Sequence, residues 1–116
     1  MGKKLIYTQT NPLFVNDIGG GGGGGTPGTV ANGQTNVATA GTAVALASTT
    51  TIQSISVRAN TGNTNNIYVG NASVSSSNGF ILAAGEGVSF DIDDPAKVFI
   101  DSDTNGEGVS FLTVAA

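Results

Sequence analysis

From Thr29 onward, apolar and polar positions alternate with a period of two. Ile55, Val57 and Ala59 take one face of a strand, and Ser54, Ser56 and Arg58 take the other. Val88, Phe90 and Ile92 alternate with Ser89 and Asp91 in the same way, as do Val109, Phe111 and Thr113 with Ser110 and Leu112. Successive side chains of a strand point to opposite faces, so this spacing predicts half-buried strands. Strands are expected at 34–39, 42–47, 52–59, 66–70, 79–84, 87–92, 97–101 and 108–114. Turn-forming residues separate them: Asn32-Gly33, Thr61-Gly62-Asn63, Ser77-Asn78-Gly79, Ala84-Gly85-Glu86-Gly87, Asp94-Pro95 and Asn105-Gly106. No apolar stripe of 3.6-residue period appears, and nothing can serve as the crossover helix of a parallel βαβ unit. The expected fold is all-β: one antiparallel β-sandwich or jelly-roll-like domain of seven or eight short strands, over residues 29–116. Phe80, Phe90, Phe99 and Phe111 are the bulky side chains expected in its core, with Ile, Val and Ala filling around them.

The text before Thr29 is of a different kind. Gly19 to Gly25 is an unbroken run of seven glycines, followed by Thr26-Pro27-Gly28. A run without side chains buries nothing and carries the largest ordering entropy, so 19–28 reads as a flexible linker. As a random coil its ten residues span roughly 17–19 Å. Residues 1–18 read as an extended docking arm, with Leu5, Ile6, Tyr7, Leu13, Phe14 and Val15 as its partner-binding side chains. The arm is too short to build a core and too apolar to be content in water. Asn11 and Pro12 divide it into two short pieces. Such segments complete their structure against a partner, as an added strand or in a groove. The competing reading is an arm folded back on its own domain.

Composition narrows the chemistry. The chain has 116 residues, no His, no Cys and no Trp, which removes thiol nucleophiles, imidazole bases, Cys/His zinc sites and disulfides. Charged residues are 10% of the total, against roughly 25% in an ordinary soluble domain. With only four Lys and Arg, no face can neutralise many phosphates, so nucleic acid is not an expected partner. No apolar run approaches the roughly 20 residues of a membrane span, and Leu5-Ile6-Tyr7 gives way at once to polar residues, unlike a signal peptide. The segment from Ile18 to Val57 carries no charge, and such strand faces suit burial against a neighbouring copy.

Two acidic clusters are the candidate chemical sites. Asp101-Ser102-Asp103-Thr104-Asn105-Gly106-Glu107 matches the opening of a calcium loop, whose oxygen ligands recur at alternate positions before a glycine. The twelfth position, where a bidentate Glu belongs, is Leu112, and the same residues make a hairpin connection that needs no ion. Asp91, Asp93 and Asp94 offer carboxylates for glycoside hydrolysis, but without Trp and with two Tyr a sugar-stacking cleft is not indicated. A Ser nucleophile would need Lys3, Lys4 or Lys97 as its base. The residues therefore point to no enzyme, no cofactor and no metal.

Four segments carry a resemblance: Asn66-Ile67-Tyr68-Val69-Gly70, Ser75-Ser76-Ser77-Asn78-Gly79-Phe80, the stretch from Leu82 to Asp94, and Val98-Phe99-Ile100-Asp101-Ser102-Asp103. Together they resemble a small virion structural module of tailed bacteriophages, of the kind found among capsid decoration (cement) proteins, head fibres and tail-associated proteins. The likeness spans about residues 35–114 and leaves out the arm and the glycines. It implies a structural protein of the virion, assembled in the host cytoplasm. The implied partners are the major capsid protein or another virion protein and further copies of the chain, a trimer being favoured. It carries over no catalytic residue. Two other classes stay open: a tail- or fibre-associated adhesion module that binds host surface glycan, and a calcium-dependent or enzymatic domain built on the acidic cluster.

Overall fold

A computed structural model describes residues 28–115. Eight strands follow one another: β1 (Val30–Asn36), β2 (Val44–Ala45), β3 (Ile52–Ala59), β4 (Ile67–Gly70), β5 (Phe80–Leu82), β6 (Gly87–Phe90), β7 (Phe99–Ser102) and β8 (Gly108–Ala115). They form two four-stranded sheets, β1-β8-β3-β6 and β2-β7-β4-β5, in which every pairing is antiparallel. The only helical element among the described residues is a single 3₁₀ turn, Pro95–Lys97. The chain is thus all-β, as the period-two text requires. The arm and most of the glycine linker lie outside the described residues.

The two sheets share one apolar core. Ile55 and Val57 of β3 and Val109 of β8 enter it from the first sheet, and Ile67 and Val69 of β4 and Ile100 of β7 enter it from the second. Leu46, Leu82, Val37 and Val98 close it at the strand ends.

The core is aliphatic, which corrects the expectation of four buried phenylalanines. Phe90 and Phe111 are half-buried at its margin, Phe99 is half-buried, and Phe80 is 59% exposed. The period is right but the strand's place in the sheet decides burial. Phe80 lies on β5 and Phe90 on β6, each the last strand of its sheet, where the opposite layer does not cover an inward side chain.

Strand bounds differ where turn chemistry competes with periodicity. Asn32-Gly33, expected as a turn, sits in the middle of β1, whose seven residues pair with β8 without a register break. Gly33 faces Phe111, and a Cβ there would come within 2.7 Å of the ring's Cζ. The glycine marks a close approach of a ring to the backbone, not a reversal of the chain. The strand expected at 97–101 starts at Phe99 instead, because Asp94 caps the 3₁₀ turn with a hydrogen bond from the Ala96 N–H at 2.9 Å. The strand expected at 42–47 is reduced to two residues, beyond which the Leu46 N–H donates to Val98 O at 2.8 Å. The Asn105-Gly106 and Ala84-Gly85 turns appear as expected, with Gly106 and Gly85 each at a φ of +84°, a conformation that favours glycine.

Candidate interaction surfaces

The acidic side chains come first, since they carried the candidate chemistry. Asp101 is buried in β7, where its Oδ1 accepts from the Gly41 N–H at 2.9 Å and the Ser102 N–H at 2.8 Å. Asp103 accepts from the Tyr68 hydroxyl at 2.7 Å, a bond that raises the phenol's pKa. Asn105 Oδ1 accepts from the Ala40 N–H at 2.8 Å. Glu107 accepts from the Thr64 N–H and hydroxyl, both at 2.7 Å, and from the Asn65 N–H at 3.2 Å. These bonds favour the ionised form and hold the Glu107 carboxyl below its ordinary pKa. The oxygens that sequence spacing offered to a calcium ion thus serve to fasten residues 40–41, residues 64–65 and Tyr68 of β4 to β7 and the β7–β8 turn. No cluster of three metal-ligating side chains occurs among the described residues.

The second acidic cluster is divided among structural tasks. Asp94 accepts from the Thr49 hydroxyl and caps the 3₁₀ turn, and these bonds lower its pKa. Asp93 pairs with Lys97 at 2.8 Å, the one ion pair among the described residues, and that partner raises the lysine's pKa. Lys97 is therefore held by a carboxylate. Asp91 follows the end of β6 and is exposed.

What remains is surface, and two regions stand out. The first is the outer face of the β1-β8-β3-β6 sheet. The registers place its side chains in rows across the strands: Val30–Val114–Ser54, then Asn32–Leu112–Ser56–Ser89, then Gln34–Ser110–Arg58–Gly87. Asp91 lies one residue beyond β6 and is exposed, between Phe90 and Ile92, which pack against the core, so alternation carries it to the outer face at the end of the first row. A groove of about 480 Å³ runs between the second and third rows, with the backbone at Gly33, Phe111, Val57 and Val88 as its floor. Across these rows the face carries one cation, Arg58, and one anion, Asp91. Two of the molecule's exposed large apolar side chains are here, Val30 at 63% and Leu112 at 50%.

The second region is the side of the sandwich between β5 and β6. A slot of about 370 Å³ opens there, lined mainly by Val69, Phe80, Val88, Phe90, Ile92 and Val98. Phe80 points into it, and Ile81, on the other face of β5, is 56% exposed. Sequence reasoning missed this slot because its lining was assigned to the core. The signal available was the shortness of the 79–84 run between two turns.

The arm residues Leu5, Ile6, Tyr7, Leu13, Phe14 and Val15 lie outside the described residues. Comparisons of the chain with protein-family models, with curated proteins and with solved structures return no match.

Proposed function

We propose that this chain is a non-enzymatic structural protein of a bacteriophage particle, a capsid decoration (cement) protein that binds the shell through its arm and self-associates through its β domain. The observation that carries the reading is the outer face of the β1-β8-β3-β6 sheet: three rows of amide, hydroxyl and exposed aliphatic side chains with a single charge of each sign. Ordinary solvated faces are roughly a quarter to a third charged. The strand orders β1-β8-β3-β6 and β2-β7-β4-β5 support reading the sandwich as a jelly roll, an architecture of viral capsid and lectin domains. That support is by analogy of fold, so the reading rests on the surface. Asp94, Asp101, Asp103 and Glu107 are engaged in fastening loops and strands, which is what a rigid structural module needs.

An apolar arm on a glycine tether turns each neighbour's binding into a nearly intramolecular event, at an effective concentration on the order of millimolar. Weak contacts between domains then suffice for high occupancy. The test is sedimentation with phage heads assembled without the protein: the full chain should pellet with the heads, and a chain lacking residues 1–18 should stay in solution. Equal pelleting of both would remove the arm from the account, and pelleting of neither would remove the capsid.

A second reading, a tail- or fibre-associated module that binds host surface glycan, draws on the groove between Asn32, Ser56 and Ser89 on one wall and Gln34, Ser110 and Arg58 on the other. A glycan array tests it directly.

A further inference from the structure

We infer that the outer face of the β1-β8-β3-β6 sheet pairs with the same face of a second copy about a two-fold axis lying along the Asn32–Leu112–Ser56–Ser89 row. The geometry follows from the register. Side-chain rows on one face of a sheet are about 6.7 Å apart and strands about 4.8 Å apart. A two-fold along the central row, perpendicular to the strands, superposes the Val30–Val114–Ser54–Asp91 row of one copy on the Gln34–Ser110–Arg58–Gly87 row of the other. Asp91 of the second copy then falls over Gly87, the one position of that row without a side chain. Arg58 is the next strand's residue in the same row. Its Nε donates to Gly85 O at 3.0 Å, which draws the guanidinium toward β6 and under the incoming carboxylate. By symmetry the same pair forms twice, as a self-complementary interface requires.

The rest of the face agrees. Leu112, half exposed in the single chain, meets Leu112 of the second copy on the axis. Ser56 and Ser89, whose hydroxyls are 2.7 Å apart and satisfy each other, present small flat side chains that let two sheets approach. Each copy contributes one positive and one negative group, so the paired faces bury no net charge. Four strands by three rows cover a footprint of roughly 19 × 20 Å, or about 400 Å² per copy. Twice that is less than the roughly 1,200 Å² of a stable complex, so the pairing is weak and reversible. It closes at two copies, which departs from the trimer favoured on sequence. The inference rests on the self-association part of the proposed function and not on its capsid-binding part, because the contact forms between free chains.

Sedimentation equilibrium of the full chain tests it. The wild type should show a reversible monomer–dimer equilibrium at high micromolar concentration. Arg58→Asp and Asp91→Arg should each weaken it at least tenfold, and the double reversal should restore it. Far-ultraviolet circular dichroism of each single variant, matching the wild type, shows that it is folded. Phe80→Ser, on the slot, and Ile81→Ser, on the other face of β5, should leave it unchanged. A wild type that is monomeric throughout, a double reversal that does not restore, or loss of association in the β5 variants alone would each overturn the proposal. Association in solution and pelleting with heads are separate readouts, so self-association and capsid binding can fail one without the other.

Discussion

Replacing Asp101 by Ala should be among the most damaging single changes in the domain, although the side chain touches no ligand. The carboxylate is 1% exposed, and one oxygen holds two backbone N–H groups, those of Gly41 and Ser102. Hydrogen bonds to a charged group contribute about 1.5–3 kcal/mol each, and a buried donor left without an acceptor costs a comparable amount. The Ser102 bond is buried and falls in the middle of that range, whereas Gly41 is exposed and falls at its low end. Together the loss in Asp101→Ala is about 3–5 kcal/mol, a large part of the 5–15 kcal/mol of a typical domain. Asp101→Asn keeps the acceptor and gives up the charge, which roughly halves each bond and costs about 1.5–2.5 kcal/mol. Chemical denaturation at neutral pH, followed by circular dichroism, measures both, with equal m-values confirming that only stability has changed. In thermal melts the Ala variant should lose at least about 12 °C, from roughly 4 °C or more per kcal/mol for a domain of this size. A cost below about 1 kcal/mol for Ala would refute the argument. So would Asn costing as much as Ala, since charge and not acceptor geometry would then be decisive.

Two further outcomes follow from the same loops. Chelation with EDTA should leave the melting temperature unchanged, because Asp101, Asp103, Asn105 and Glu107 already accept protein hydrogen bonds; a large drop reversed by Ca²⁺ would show that they hold an ion. Acid should destabilise the domain in a defined sense. Asp94 and Glu107 have depressed pKa values when folded, so in acid the unfolded chain binds more protons. Their contribution is present above the ordinary carboxylate range and lost as pH falls through the depressed values, below about pH 5. Asp94→Asn and Glu107→Gln together should flatten the acid limb of a melting-temperature profile, and an unaltered limb would assign acid sensitivity elsewhere.

How much of this was legible in sequence depended on what each residue had to sense. β3 was expected and found at 52–59, because Ile55, Val57 and Ala59 lie in a strand flanked on both sides, where parity alone fixes burial. Phe80 obeys the same parity yet is exposed, since burial there depends on which strand ends the sheet, a long-range fact that local alternation does not encode. Gly33 reads as a turn until its neighbour across the ladder is known to be Phe111. Asp101 shows the same limit for chemistry: its spacing matches a calcium loop, while its actual donors are its own neighbour and a residue 60 positions earlier in the chain. Of the surfaces, the charge-poor face was visible as missing Lys and Glu, but the meeting of Arg58 with a gap at Gly87 required the register.

The place where the linker enters the domain has a mechanical consequence. Gly28 leads directly into β1, and Thr29 O accepts from the Ala115 N–H at 2.8 Å, so the start of β1 and the finish of β8 lie side by side. A pull applied between those two points would peel the ladder apart one pair at a time. A pull on Gly28 against a domain gripped across its sheet acts along β1 and loads all seven pairs, Val30–Val114 to Asn36–Gly108, at once in shear. Tension that enters at Gly28 along β1 therefore meets the domain in its strongest direction.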